Sequence, residues 1–416
     1  MKRQLLSTAL PTLELTANEE QAVRDEAWAV IRQAVEMETA FYDHGTRVNP
    51  KEWKEVMAKD DLRIYRPRNL RVLRKNSGLE RGVSTATSIA MPELFSVRSN
   101  DSSGSTRSWL SSFMRTTISH SSSASSEGSQ AELADAPPLL CAGYVEGTLE
   151  DLSLGAYDGD DVTWKIRSAY MKDKFADARF LATIQRPTYE NPFQFLGIKW
   201  FTTEYPPVVG AFIHIRDSLV VEAMGIGEDD KGEPFGYYML HDYQNPRLPE
   251  LSNFGIIRNK LSFCFISRQI SPGRMRMYGR GCMSLGGSLP ARLAIMISAI
   301  SLTSTANLIE TAYKKKLVWL VAQQEEERRE IEEEQASNTT CHACDKTARL
   351  RGLIGCHACG FSFCPKCYVN RKLVVDASES HVTMRTLPFC FVCVLRAKQY
   401  PAIDVARATI ILKQVD

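Results

Sequence analysis

The sequence predicts an α+β chain in which a run of antiparallel strands covers one long helix and a small metal-held module follows. Three observations lead to this fold class. Short stretches rich in aromatic and β-branched residues follow one another between residues 139 and 281, a pattern typical of strands joined by tight turns. A strongly apolar segment begins at Pro290. Four C-x-x-C pairs lie between Cys341 and Cys393.

Composition sets the outer limits of the prediction. The chain has 416 residues, 44% hydrophobic and 24% charged, which is ordinary for a folded protein of two or three domains. A formal net charge of +2 gives no case for a nucleic-acid partner, and none is expected. The amino-terminal sequence MKRQLLSTALPTLEL is too polar for a secretory signal, so we expect an intracellular, cytoplasmic chain. The apolar run at residues 293–302 has about half the length that a membrane span needs.

Residues 1–75 are predicted to hold the amino-terminal helix and the first strands of the larger domain. From Thr16 onward, polar capping residues precede apolar residues at near-helical spacing, which indicates an amphipathic helix. These apolar residues are Val23, Trp28, Ile31 and Val35. A short helix around Trp53, a strand at 62–66 and a further short strand at 71–73 follow.

A Ser-rich stretch at residues 76–136 contains few apolar residues. Burial of so little apolar surface does not offset the entropy lost when a chain becomes ordered. We therefore predict a disordered insertion between the first strands and the remainder of the larger domain, which spans 137–323.

Residues 137–323 carry the remaining strands and a long helix. Aromatic and β-branched residues between Pro, Gly, Asn and Asp turns mark the strands, and the short connections favour antiparallel neighbours. The predicted strands span residues 139–148, 179–185, 193–202, 208–215, 219–225, 235–243, 261–270 and 274–281. From Pro290, apolar residues crowd more than one face of a single long helix, which we expect to lie on the concave side of the sheet.

The segment at 324–340 is rich in Glu and Arg. It is predicted to be a charged, solvated helical linker. Such a helix acts as a semi-rigid spacer, so we expect it to hold the carboxyl-terminal module, residues 341–416, away from the larger domain.

Eight of the eleven cysteines form four C-x-x-C pairs near the carboxyl end. They are Cys341 and Cys344, Cys356 and Cys359, Cys364 and Cys367, and Cys390 and Cys393. A C-x-x-C pair presents two thiolates to one tetrahedral Zn²⁺, so four pairs predict two structural zinc ions with no ligand left over. Disulfide bonds are the alternative, which a reducing compartment disfavours. Since so small a module needs metal to fold, we expect a chelator to unfold it and to leave the larger domain intact.

The order and length of the elements from Thr16 to Gln323 resemble a START domain of the Bet v 1-like helix-grip class. In that family a curved antiparallel sheet wraps the carboxyl-terminal helix and encloses an apolar tunnel, so the resemblance implies lipid binding or transfer. A closed core without a cavity is the alternative. Glu222, His214 and Arg268 are the polar residues that a headgroup site could use, although alternation along a strand favours the outward face for each.

The cysteine spacing resembles a FYVE-type finger, because a C-x₂-C-G-x₂-F-C-x₂-C run that includes Gly360 and Phe363 lies between two outer pairs. In that family the pairs interleave as a double-zinc cross-brace. The resemblance therefore implies one zinc on Cys341, Cys344, Cys364 and Cys367, and the other on Cys356, Cys359, Cys390 and Cys393. It also implies association with endosomal membranes. A RING-like finger, and with it a ubiquitin ligase, is a less favoured alternative because a RING needs a histidine ligand between two cysteines.

The finger is divergent around its third cysteine. The basic run with paired histidines, the Trp/Asp element and the Arg-Val-Cys element of the family are absent or altered. High-affinity recognition of phosphatidylinositol 3-phosphate is therefore not expected of this chain. The remaining weak candidates for lipid contact are Arg349, Arg351 and His357. Nearby, the apolar residues Leu350, Leu353 and Ile354 either press into a membrane or pack around the zinc sites.

The sequence contains no G-x-S-x-G, Walker-type, H-E-x-x-H or G-x-G-x-x-G motif, so no enzyme is predicted. Cys141, Cys264 and Cys282 lie outside the finger and are expected to be small core residues. The prediction is a non-enzymatic, zinc-binding adaptor that binds lipid or associates with a membrane, and a phosphoinositide surface is one such partner. The alternative is a scaffold with a closed START-like domain, whose finger binds a protein.

Overall fold

The computed structural model of the protein describes residues 10–68, 136–203, 214–335, 338–347, 352–378 and 381–412, apart from residues 12, 44, 46, 47, 173, 174, 288 and 290. The insertion predicted at 76–136 lies outside the described residues except for its last position. The short strand expected at 71–73 and most of the strand expected at 208–215 also lie outside them.

One large, almost entirely antiparallel sheet forms the centre of the fold, as predicted. Its strands are β1 Trp53–Lys59, β2 Leu62–Pro67, β3 Pro138–Glu146, β4 Phe175–Gln185, β5 Phe195–Thr203, β6 Arg216–Glu228, β7 Pro234–Asp242, β8 Ile257–Arg258, β9 Lys260–Ser271 and β10 Arg274–Ser284. They lie in the order β1-β2-β3-β10-β9-β7-β6-β5-β4, and β8 pairs in parallel with β6. The tight turn between β9 and β10 contains Gly273, whose φ of 74° suits a residue without a side chain.

Helices cover both faces of the sheet. They are α1 Ala17–Asp43, α2 Leu149–Ala156, α3 Asp161–Met171, α4 Ala291–Ser304 and α5 Asn307–Gln323. Alternation along β6 divides the two cores: Leu219 and Val221 lie in the core beneath α1, whereas Val220 and Met224 lie in the core shared with α2 to α5. We call the face that carries Val220 the inner face, and its core the inner core.

Two elements differ from the prediction. Trp53 begins strand β1 rather than a short helix, because its segment pairs along its length with β2. The helix expected from residue 290 is two helices, interrupted at Thr305 and Ala306. The hydroxyls of Ser301, Ser304 and Thr305 donate to carbonyl oxygens three or four residues earlier, which competes with regular helical hydrogen bonding at this point.

The segment Arg292–Gln323, which spans α4 and α5, is long and apolar enough to cross a membrane by length and composition. In the structure, 61% of its apolar window is buried within the fold. The core helices of a folded domain meet the same criterion, and this segment packs as such a pair on the inner face.

The carboxyl-terminal part begins with the charged helix α6 Glu325–Glu334 and continues into short strands and helices. These are β11 Ile354–Gly355, β12 Ser362–Phe363, β13 Tyr368–Ala377, β14 Val382–Cys390, α7 Phe391–Gln399, α8 Ala402–Ala406 and a π-helical turn, Arg407–Ile411. β11 pairs with β12, and β13 with β14, both antiparallel. We call the described residues between 338 and 399 the finger.

The finger packs directly against the larger domain, so the interpretation of 324–340 as a projecting spacer is wrong. Leu320 of α5 is buried in the same apolar core as the finger cysteines. The backbone N–H of Val374 in β13 donates to the Tyr170 hydroxyl of α3 over 3.1 Å. Helix α6 also lies against the finger, since a Cβ added at Gly360 would be 2.6 Å from the carbonyl oxygen of Arg328.

The last helices return from the finger to the larger domain. Val405 and Ile410 are buried in the inner core together with residues of α2 and α5. Arg407 Nε donates to the carbonyl oxygen of Tyr189, in the β4–β5 connection, over 3.1 Å. The tail beyond the finger therefore contributes to the core of the larger domain.

Candidate functional site

A cluster of ionisable groups lies buried on the inner face, where β5, β6 and β7 pass beneath α2 and α3. Its members are Asp158, Arg167, Lys199, Glu222 and the hydroxyl of Tyr238. Each of these five residues is at most 6% exposed. We call this group the interior ion cluster.

The register of the sheet brings the two strand members together. Lys199 in β5 pairs opposite Val220 in β6, so Glu222 lies two residues further along on the same face. Asp158 follows the carboxyl end of α2, and Arg167 lies on α3. The two helices thus place a second pair of opposite charges, Asp158 and Arg167, over the pair on the strands.

Every charge in the cluster contacts an opposite charge. Lys199 Nζ contacts one carboxylate oxygen of Asp158 and one of Glu222. Arg167 Nε lies 2.6 Å from Asp158 Oδ2. Tyr238 donates to Glu222 Oε1 over 2.7 Å and accepts from Arg167 Nη1 over 3.3 Å. Two cations and two carboxylates therefore balance within the interior.

Aromatic rings surround the ammonium of Lys199. Its Nζ lies 4.8 Å from the ring centroid of Trp164, 4.6 Å from that of Phe180 and 5.7 Å from that of Phe195. The rings of Trp164 and Phe180 pack edge to face, with centroids 5.4 Å apart. Cation–π attraction adds to the ion pairs, and the apolar surroundings strengthen each charged contact.

Burial shifts the protonation of the groups in and beside the cluster. It raises the pKa of Glu222 and of Tyr238, because the charged form of each loses hydration. Burial lowers the pKa of Lys315, on α5, from 10.5 to about 7. The Lys315 ammonium donates to the carbonyl oxygens of Leu154 and Tyr157, over 2.7 Å each. The interior therefore holds donors, acceptors and a group that exchanges a proton near neutral pH, all of which suit the polar end of an amphiphilic molecule.

The three polar residues named from the sequence are placed differently. Glu222 faces the inner side and is fully buried, so the expectation of an outward side chain is wrong for it. Arg268 lies on the opposite face, where its Nε is 3.0 Å from Glu38 Oε2 of α1. His214 is exposed just ahead of β6. Of the three, Glu222 belongs to the interior ion cluster.

Four members of the cluster, Asp158, Arg167, Lys199 and Tyr238, are not predicted from the sequence. Lys199 lies within the apolar strand sequence FLGIKWF, and a single charge inside such a run is a usable signal of a buried, paired group. Asp158 and Arg167 carry no comparable local signal, because their pairing depends on how α2 and α3 cross the sheet.

The finger cysteines form two separate groups, and the sulfurs of each group lie within 4.8 Å of one another. One group is Cys341, Cys344, Cys364 and Cys367, and the other is Cys356, Cys359, Cys390 and Cys393. This is the interleaved grouping that the FYVE-type resemblance implies. Zn–S bonds of about 2.3 Å in a tetrahedron place the sulfurs about 3.8 Å apart. The Cys344 and Cys364 sulfurs are 3.8 Å apart, so the donor set fits one zinc ion in each group.

Backbone N–H groups point at the cysteine sulfurs. The Cys364 N–H donates to Cys341 Sγ over 3.3 Å, and the Cys390 N–H donates to Cys356 Sγ over 3.3 Å. Such donors stabilise the thiolate form that a metal requires, and they fix its orientation.

The residues named as lipid contacts in the finger give a mixed result. Arg349 and Arg351 lie outside the described residues. His357 is half-buried, and its ring meets that of Phe389 edge to face with centroids 6.0 Å apart. Burial lowers the pKa of His357, so this side chain offers little positive charge to a lipid headgroup at neutral pH.

The three apolar residues near the third cysteine, Cys356, also differ in where they lie. Leu353 packs against the finger core, whereas Ile354 is 39% exposed. Leu350 lies outside the described residues.

No protein-family model matches the sequence, and no curated protein matches it. Solved structures that are similar to the chain include human STARD10, with a TM-score of 0.36 and 8% identity over 73% of this chain and 82% of the other. Human StAR-related lipid transfer protein 5 matches with a TM-score of 0.34 and 12% identity over 68% and 97%. The human StarD13 (DLC2) lipid transfer and protein localization domain matches with a TM-score of 0.34 and 9% identity over 63% and 89%. Similarity at this level assigns neither a family nor a function.

Proposed function

We propose that the chain binds a lipid on the inner face of its sheet, within a START-like arrangement of sheet and helices. The observation that carries the proposal is the interior ion cluster, which sets polar donors and acceptors inside an apolar core. Binding sites for amphiphilic molecules have this composition, with mostly apolar walls and a few placed polar groups. The polar end of the lipid would meet Lys199 and Arg167, and its apolar part would lie along α4 and α5.

A purely structural role accounts less well for the cluster. Replacement of a buried ion pair by apolar side chains of similar volume is often neutral or stabilising. Four charges held on the inner face at the expense of hydration therefore support a role in recognition rather than in stability alone.

We further propose that the finger is a divergent FYVE-type module that holds two structural zinc ions through its eight cysteines. With every thiolate engaged, neither ion keeps an open coordination position at which to activate water, which supports a non-enzymatic adaptor. The same resemblance supports a cytoplasmic chain that associates with membranes, endosomal membranes among them.

Recovery of lipid from the purified full chain tests the first proposal. The chain is purified from cells and denatured, and the lipids that co-elute are identified by mass spectrometry. We expect stoichiometric lipid with the wild-type chain and its loss from Lys199→Met/Glu222→Gln, which removes one charge of each sign. Arg258→Met/Asp217→Asn is the matched control, because that buried pair, 2.7 Å apart, points away from the inner face.

A folded wild-type chain that repeatedly lacks lipid would contradict lipid binding. Lipid retained equally by Lys199→Met/Glu222→Gln would show that the interior ion cluster does not bind it.

The second candidate function is a protein-interaction scaffold with a closed sheet domain. The rings packed around Lys199 favour it, since they leave the cluster satisfied by its own partners. In that case the wild-type chain carries no lipid, and Lys199→Met/Glu222→Gln is at least as stable as the wild type.

A further inference from the structure

Helix α7 presents three large apolar side chains to solvent. Phe391, Val392 and Leu395 are 50%, 69% and 57% exposed. Phe391 and Leu395 lie four residues apart and Val392 lies beside them, so the three form one continuous stripe over the first turns of the helix. We call these three residues the α7 surface.

The opposite face of α7 is fixed in the finger core. Cys393, Val394 and Ala397 are buried there, and Cys393 belongs to the second cysteine group. Cys390, which caps the helix just before Phe391, belongs to the same group as Cys393, so both ends of the first turn are held. The α7 surface therefore stays outward, and exposed apolar clusters of this kind mark interaction sites.

Basic side chains border the α7 surface. Arg396 and Lys398 are exposed on the same helix, whose sequence contains no acidic residue. The described part of the finger carries seven Lys and Arg residues against two acidic ones. These are Lys346, Lys366, Arg371, Lys372, Arg385, Arg396 and Lys398, against Asp345 and Asp376.

The charges of the metal sites would lower the net positive charge of the finger, but they would not lie at its surface. Two zinc ions bound by eight thiolates would add four negative charges. Those charges would lie at the cysteines, which are all buried or half-buried, whereas six of the seven cationic side chains are exposed. The charged side chains that the described part of the finger exposes to solvent are therefore mostly cationic.

We infer that the α7 surface docks on an anionic lipid membrane. The Phe, Val and Leu side chains enter the boundary between headgroups and acyl chains, and the neighbouring Arg and Lys side chains meet anionic headgroups. The cations are spread over the β13–β14 hairpin, the Cys364–Cys367 turn and α7, which suits a diffuse anionic surface better than one compact ligand. This docking surface differs from the loop around residues 348–354, and it does not depend on lipid carriage by the inner face.

Co-sedimentation of the full, zinc-loaded chain with vesicles tests the inference. The vesicles are phosphatidylcholine, alone or mixed with phosphatidylserine. We expect binding to the mixed vesicles, and a loss of about tenfold or more in Phe391→Ser/Val392→Ser, because the two partly exposed apolar side chains together contribute at least about that factor when they are withdrawn from water. Arg396→Glu is expected to weaken binding at low salt and to reduce its salt dependence.

Phe254→Ser is the matched control, since Phe254 is 60% exposed in a short 3₁₀ turn of the larger domain. Zinc content and circular dichroism report whether each variant is folded, and Leu395→Gln replaces the double variant if the latter loses zinc. Binding of the double variant at the wild-type level would overturn the inference, and so would a wild-type chain that binds neither vesicle. If that unbound chain still carries stoichiometric lipid, the inner-face proposal survives.

Discussion

Removal of metal from the finger is expected to destabilise the sheet domain together with the finger. Helix α5 belongs to both parts: Leu320 is buried among the finger cysteines, whereas Ala312 of the same helix is buried in the inner core. The tail that follows the finger packs back into the larger domain, where its Val405 and Ile410 are buried in the inner core. These contacts do not fit the sequence-based expectation that a chelator leaves the larger domain intact.

The size of the effect follows from four large side chains that bridge the two parts. Leu317, Leu320, Val405 and Ile410 are 3%, 0%, 1% and 7% exposed. Full exposure of such a side chain costs about 1.5–3 kcal/mol, so together the four would cost at most about 6–12 kcal/mol. The whole stability of a domain is about 5–15 kcal/mol. Loss of a third of these contacts would therefore lower the Tm of the sheet domain by about 4 °C or more.

Tryptophan fluorescence separates the two parts once Trp319, which lies next to Leu320 and packs edge to face against Tyr400, is replaced by Phe, because the other five tryptophans precede α5 and none lies in the finger. We expect the fluorescence-detected Tm to fall when metal is chelated and also in Cys356→Ser. Cys282→Ser is the matched control, since Cys282 lies outside both cysteine groups. A fluorescence Tm that stays constant while circular dichroism shows an unfolded finger would refute the coupling and restore the picture of independent modules.

Three further substitutions probe the same structure. Leu320→Ala should destabilise the chain by about 2–5 kcal/mol in urea unfolding because it leaves a cavity, whereas Val318→Ala, at a position 36% exposed, should cost much less. Gly360→Ala should destabilise the zinc-loaded finger, since its φ is 75° and the added Cβ would lie 2.6 Å from a carbonyl oxygen of α6; Gly352→Ala, with open space around it, is the control. Lys315→Met should flatten the dependence of stability on pH. The pKa of Lys315 is about 7 in the folded chain against an ordinary 10.5, so between these values the unfolded state binds more protons and wild-type stability rises with pH. Equal slopes for the two chains, from urea unfolding across that window, would contradict this assignment.

Local patterns in the sequence were enough to predict much of the fold. Helix α1 is apparent because residues such as Val23 and Ile31, spaced for one helical face, are the ones that it buries. The strands are apparent because aromatic and β-branched residues alternate with tight turns over short distances. The cysteine grouping follows from ligand spacing together with a family resemblance, both of which lie within a short stretch of chain.

Contacts between distant parts of the chain could not be predicted in this way. Lys199 and Asp158 are 41 residues apart, and Val374 and Tyr170 are 204 apart. The charges of α6 correctly indicate a solvated helix. They do not show that the opposite side of α6 packs against the finger, where Gly360 leaves room for it. The interior ion cluster and the docking of the finger therefore depend on how the helices cross the sheet, which no local pattern encodes.

Helix α5 connects the two ligands proposed for this chain. Lys315 donates to carbonyl oxygens beside the interior ion cluster. Lys316 contacts a carboxylate oxygen of Asp151, and its Nζ donates to the carbonyl oxygen of Lys398 in α7 over 3.3 Å. Leu320, one turn further, lies in the finger core. A ligand that binds only the folded state stabilises it, and two ligands that favour the same placement of one helix strengthen each other reciprocally. If bound lipid raises the affinity for zinc by some factor, bound zinc must raise the affinity for lipid by the same factor. Membrane docking through α7 would also favour one placement of α5, because the two helices are in contact. Lipid, metal and membrane would then act through a single helix rather than through three separate modules.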